Sequence, residues 1–128
     1  MIVARILLFA LTTVMIMSAE VYELRTYTTH PGRLEALLNR FKNHTLKLFE
    51  KHGMVNVAYW VPQDEPLKSN TLIYVLKHKS REAAKASWDA FRNDPAWIAA
   101  RDASEKDGKI VAKVEAVFMD AVPWSPRH

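Results

Sequence analysis

Residues 21–28, VYELRTYT, alternate apolar and polar side chains, the two-residue period of a half-buried strand. His30, Pro31 and Gly32 then turn the chain, and Pro31 suits a first helical turn. The period changes to three and four: Leu34, Leu37, Leu38, Phe41, Thr45, Leu48 and Phe49 predict one amphipathic helix, closed by Lys51, His52 and a capping Gly53. Residues 54–61 predict a second strand, stopped by Pro62, and residues 71–77 a third after the polar, proline-rich segment between them. Ser80 is a candidate N-cap for a helix with Ala84, Trp88 and Phe91 on its apolar side. Pro95 breaks that helix, and Asp94 can cap a shorter one over 96–106 that ends before Gly108. A last strand over 110–119 precedes a tail made extended by Pro123 and Pro126.

The order strand, helix, strand, repeated once, predicts an α+β fold of the ferredoxin-like βαββαβ kind. Its four-stranded antiparallel sheet carries both helices on one face. Period two then assigns sides. On the first strand Tyr22, Leu24 and Thr26 are expected toward the helices, with Glu23, Arg25 and Tyr27 on the open side. On the last strand Val114, Ala116 and Phe118 are expected inward, and Lys113, Glu115, Val117 and Met119 outward. The third strand reads equally well either way. The open face is therefore expected to mix charges, a tyrosine and aliphatics, which suits an isologous homodimer with two sheets face to face.

The first nineteen residues stand apart. Arg5 precedes an apolar run over 6–17 broken by Thr12 and Thr13, and the small residues Ser18 and Ala19 follow. That order is a secretory signal peptide, and the run is short of the roughly 20 residues a membrane-crossing helix needs. The expected organisation is a signal peptide over 1–19, a domain over 20–122 and a tail over 123–128. The protein is thus expected to be exported, periplasmic or secreted, and to meet a membrane only in transit. The chain has no cysteine, so disulfide and thiolate chemistry are out. Its net charge of +4 falls only to +3 without Arg5, and the basic residues are scattered along the helices. This is a solvated surface, not a nucleic-acid interface.

No motif for metal, nucleotide or nucleophilic chemistry appears. His44 and His52 lie eight apart on the first helix, about 12 Å along its axis, too far to share one ion. His44, beside Phe41 and Leu48, is expected to line a pocket at the helix–sheet boundary, and His52 to serve the helix C-terminus electrostatically. His30 and His78 read as boundary residues. Trp60, Trp88 and Trp97 are core or ligand-stacking candidates, whereas Trp124 is expected to dock on the domain or on a dimer mate.

Three segments carry a family resemblance: YELRTYT at 22–28, HTLKLFEKHG at 44–53 and the DPAW element at 94–97. Together they resemble a NIPSNAP domain. The resemblance implies a dimeric α/β-barrel built from the ferredoxin-like unit, with no well-established reaction. The fold group also contains cofactor-independent monooxygenases and haem-degrading enzymes. Two functions follow as expectations. The first is a dimeric binding module for a small apolar or aromatic ligand or a protein partner, needing no cofactor or metal. The alternative is a cofactor-independent monooxygenase-like enzyme. The ligand-binding candidates are His44, Trp60, Asn56, Arg25, Tyr27 and Trp88.

Overall fold

The computed structural model describes residues 3, 4, 6–12 and 20–126. Strand β1 (Val21–Thr29) leads into helix α1 (Leu34–Arg40), a π-helical turn (Phe41–Thr45) and helix α2 (Leu46–Lys51). Strands β2 (Val55–Trp60) and β3 (Thr71–His78) follow, then helices α3 (Arg81–Arg92) and α4 (Pro95–Ser104) and strand β4 (Val111–Met119). The strands lie in the order β2-β3-β1-β4, every neighbour antiparallel. The helices share one face of this sheet, as the ferredoxin-like reading requires.

The core forms where β3 meets the helices. Leu72, Tyr74 and Leu76 of β3 pack with Leu37, Phe41 and Phe49 on one side and Trp88 and Phe91 on the other. This resolves the side of β3 and overturns the expected side of β1. Antiparallel partners point the same way, and Glu23, Arg25 and Tyr27 stand opposite Leu76, Tyr74 and Leu72. These three therefore face the helices, and Tyr22, Leu24 and Thr26 face outward. Alternation alone misassigned β1 because its inner positions are polar; they are tolerated there because they satisfy one another. On β4 the expected side holds, since Phe118, Ala116 and Val114 oppose Glu23, Arg25 and Tyr27.

The outer face changes character accordingly. Leu24 lies between Val75 and Val117, and Thr26 beside Ile73, with Ala58 and Trp60 continuing the surface on β2. Its centre is aliphatic, and charge is confined to the margins, as in the Lys113–Glu115 pair at 2.8 Å. Trp60 is half exposed on this side, away from the helices.

The expected single first helix is interrupted. Leu37, Phe41, Thr45 and Phe49 recur at intervals of four, and on a regular α-helix each such step drifts by about 40°, carrying the row off the core. The wider π turn absorbs the drift, so that all four are buried. The same turn leaves His44 exposed to solvent, while Arg40, the last residue of α1 and three after Leu37, is buried with the row. Elsewhere the caps match expectation: Ala83 N donates to Ser80 Oγ at 3.0 Å and Ala96 N to Asp94 Oδ1 at 2.9 Å. His52 does more than serve a helix end. With Lys51 it reaches Asp94 Oδ2, each at 2.7 Å, tying the end of α2 to the start of α4.

At the chain's ends, Ile6, Leu7, Leu8, Phe9 and Leu11 are solvent-exposed and add nothing to the core; Ser18 and Ala19, where cleavage is expected, lie outside the described residues. No helix among the described residues is long and apolar enough to cross a membrane. The tail is not fully extended, since Ser125 N donates to Val122 O at 3.0 Å in a turn. Trp124 does not dock on the domain and is 83% exposed.

Gly53 ends α2 with φ of 83°, where a side chain is disfavoured although Ser87 Oγ would lie an ordinary 3.7 Å from a new Cβ. Gly53→Ala should therefore destabilise by about 1–2 kcal/mol through backbone strain, measured by urea unfolding.

Candidate functional site

Two elements, β3 and α3, converge on β1's inner face. Glu23 and Arg25 sit at its centre, β3 supplies Tyr74 and His78, and α3 supplies Trp88. Glu23 is almost fully buried, and its carboxylate accepts from three side chains. His78 Nε2 and Trp88 Nε1 each lie 2.8 Å from Oε1, and Arg25 Nη1 lies 2.8 Å from Oε2. Burial alone would raise the carboxyl pKa, but the three donors outweigh it and hold Glu23 below the usual carboxylate range. An ionised acceptor requires His78 to donate through Nε2, which leaves Nδ1 without a partner among the described residues.

Arg25 extends the network. Its Nε donates to Tyr74 Oη at 2.9 Å and Nη2 to Tyr27 Oη at 3.3 Å, while Tyr74 donates to Tyr27 at 3.0 Å. Its guanidinium carbon stands 4.2 Å from the centre of the Trp88 ring. Burial works against the charge, but the two tyrosines and Glu23 overcome it, so Arg25 stays cationic throughout the accessible pH range. Tyr74 is driven the other way: burial, with Tyr27 beside it, pushes its phenol well above the ordinary value of 10.0.

The helices cover β3 and β1 but leave the inner side of the edge strand β4 partly open, with Val114 45% exposed. Two hollows open along that side. The larger, about 560 Å³, has Trp88, Ala116 and Phe118 as its apolar floor, Glu23 and Arg25 behind, and charged residues of α3 as its rim. At the rim the Arg81 guanidinium covers the Phe118 ring at 3.7 Å, and Lys85 pairs with Asp89 at 2.7 Å. The smaller, about 180 Å³, lies against the π turn and α4, among Tyr27, Phe41, Trp97 and Val114.

Of the candidates taken from the sequence, the structure joins Arg25, Tyr27 and Trp88 in one network. Asn56 lies apart from them, donating to Leu46 O at 3.1 Å and accepting from Tyr59 Oη at 2.5 Å. Trp60 faces the opposite side of the sheet, and His44 lines no boundary pocket, because the π turn directs that position into solvent. Two participants escaped the sequence reading, and a third was placed on the wrong side. Glu23 was assigned to the outer face; His78 continues the inward row of Leu72, Tyr74 and Leu76, a signal present once the side of β3 is known; Arg40 stands three after Leu37 on the buried row, but its charge reads as solvated.

With this geometry established, comparison places the chain among known proteins. The NIPSNAP family model matches residues 22–126. A NIPSNAP family protein of unknown function from Agrobacterium tumefaciens is 20% identical, with a TM-score of 0.71 over 84% of this chain and 93% of that one. An uncharacterised NIPSNAP domain protein from Burkholderia xenovorans is 17% identical, with a TM-score of 0.69 over 84% and 99%. A cofactor-independent oxygenase from Streptomyces nogalater shares the fold at 14% identity, with a TM-score of 0.57 over 86% and 100%. No curated protein sequence matches.

Glu23→Gln should cost about 3–5 kcal/mol, because it leaves Arg25 buried without its counter-charge, and denaturant unfolding of both forms measures the loss. The pH dependence has a definite sign. A depressed carboxyl pKa stabilises the fold fully above the ordinary 4.5, and that contribution disappears as pH falls through the native value. The acid limb of the wild-type stability curve should accordingly be steeper than that of Glu23→Gln. The raised phenol of Tyr74 acts at the other end. Its contribution is complete below pH 10.0 and is lost on further alkalinisation, a fall that Tyr74→Phe should lessen in the same titration.

Proposed function

Since the chain belongs to the NIPSNAP family, which matches residues 22–126, we propose that it is a homodimeric binding domain whose small apolar or aromatic ligand occupies the larger hollow beneath α3. The carrying observation is the construction of that hollow. Trp88 and Phe118 form its floor, each with a guanidinium stacked on its ring, and behind them stands a polar network whose charges are already paired. Glu23, accepting three hydrogen bonds and held ionised, is a fixed support for Trp88 and Arg25 and not a base waiting for a proton. Such a wall orients a guest at little cost in reorganisation.

The proposal includes the partner copy. The outer face around Leu24, Ile73, Val75 and Val117 is an aliphatic surface with charge only at its margins. A contiguous apolar patch of this kind marks an interaction surface, and an isologous contact pairs it with itself. Export through residues 1–19 belongs to the same reading. A cofactor-independent oxygenase remains the alternative, supported by fold likeness to the Streptomyces nogalater enzyme; it loses His44, which is exposed.

Native mass spectrometry of the protein from its own host should show a dimer retaining a small molecule. Ala116→Trp, which fills the hollow's floor, should release that molecule while leaving the dimer intact. Leu24→Lys should give monomers in light scattering. A wild-type monomer at tens of micromolar would refute the pairing, and a ligand retained by Ala116→Trp would refute the assigned hollow.

A further inference from the structure

The smaller hollow shares no lining residue with the larger one, and its chemistry differs. Rings and aliphatic side chains make most of its wall: Tyr27, Phe41, Trp97 and Val114. Into this apolar setting Arg40 brings a charge, although only 5% of the residue is exposed. A buried guanidinium ordinarily meets a carboxylate in two parallel hydrogen bonds. Arg40 does not. Its Nη1 donates to Ser104 Oγ at 3.2 Å and reaches Glu105 Oε1 only at 3.5 Å. Its Nε has no partner among the described residues. The Trp97 ring, 5.1 Å from the guanidinium carbon, covers one side of the group without accepting those protons. Burial lowers the Arg40 pKa, and Glu105 and Tyr27 do not fully offset it. The π turn begins at the very next residue, and such turns recur at functional sites.

We propose that this hollow is a second binding site, for a small apolar monocarboxylate whose carboxylate is anchored by Arg40 and whose body lies against Phe41 and Trp97. At about 180 Å³, the hollow suits a single ring or a short chain. The planar fork of arginine selects a carboxylate over an alcohol of the same shape, because an uncharged guest adds no counter-charge to the single long contact with Glu105. This inference goes beyond the ligand proposed for the larger hollow and stands independently of it.

The test uses the full chain, with benzoate and hexanoate as probes and benzyl alcohol as the uncharged control. Calorimetry should show both carboxylates binding and benzyl alcohol weaker by on the order of tenfold or more. In NMR spectra benzoate should shift the Trp97 indole resonance. Arg40→Gln, which removes the charge at similar volume, should weaken benzoate by roughly tenfold to a hundredfold. Val114→Trp, on the partly open edge strand, fills the hollow with Arg40 intact and should do the same. Equal affinity for benzoate and benzyl alcohol, no Trp97 shift at millimolar benzoate, or unchanged benzoate affinity in Val114→Trp would each overturn the proposal. If Arg40→Gln does not fold, Val114→Trp decides alone. Val114→Trp leaves the larger hollow open, so a host-derived ligand that survives this substitution keeps the first reading whatever benzoate does.

Discussion

One buried carboxylate sets the interior of this domain. Glu23 lies on a central strand, beneath a helix and away from water, and a charge there is tolerable only if every lone pair has an answer. The answers come from three elements: Arg25 on the same strand, His78 at the end of β3 and Trp88 from the middle of α3. Each donor is in turn placed by the carboxylate it serves. The distance of α3 from the sheet, the tautomer of His78 and the stacking of Arg25 on Trp88 all follow from this one group. Apolar packing of Tyr74, Phe49 and Phe91 supplies cohesion nearby, but it would permit other arrangements. The polar set does not.

A second constraint governs the helical layer. A row of core residues at intervals of four cannot stay on one side of a regular α-helix, and the chain resolves the conflict with one wide turn. That turn sends His44 to solvent, whereas Arg40 is already turned inward three residues after Leu37 on α1. Arg40 thereby brings a charge into the smaller hollow beside Phe41, Thr45 and Phe49.

The architecture was legible because it rests on periodicity and punctuation. Ser80 and Asp94 announced their helices, Gly53 and Pro95 marked breaks, and four runs of alternation became four strands. The site was legible only in part. Arg25, Tyr27 and Trp88 were found as residue types, yet the side of the sheet that carries Arg25 and Tyr27 was read in reverse. Alternation gives two sides without saying which is inner, and the usual tie-breaker, apolar means buried, fails where a polar network occupies the core. The outer aliphatic surface was missed for the same reason, since Leu24 was assigned inward. His78 and Arg40 needed three-dimensional context. One depends on the side chosen by β3, and the other carries a charge on a helical row that otherwise reads as core.

Asp94 shows how local grammar acquires long reach. Its side chain begins α4 and also receives Lys51 and His52 from the end of α2, and these donors hold its carboxyl below the usual range. Two segments more than forty residues apart in sequence therefore share one anchoring atom, Oδ2. Fraying at either terminus strips partners from the other, so in hydrogen exchange the close of α2 and the opening of α4 should gain and lose protection together, as a single cooperative unit.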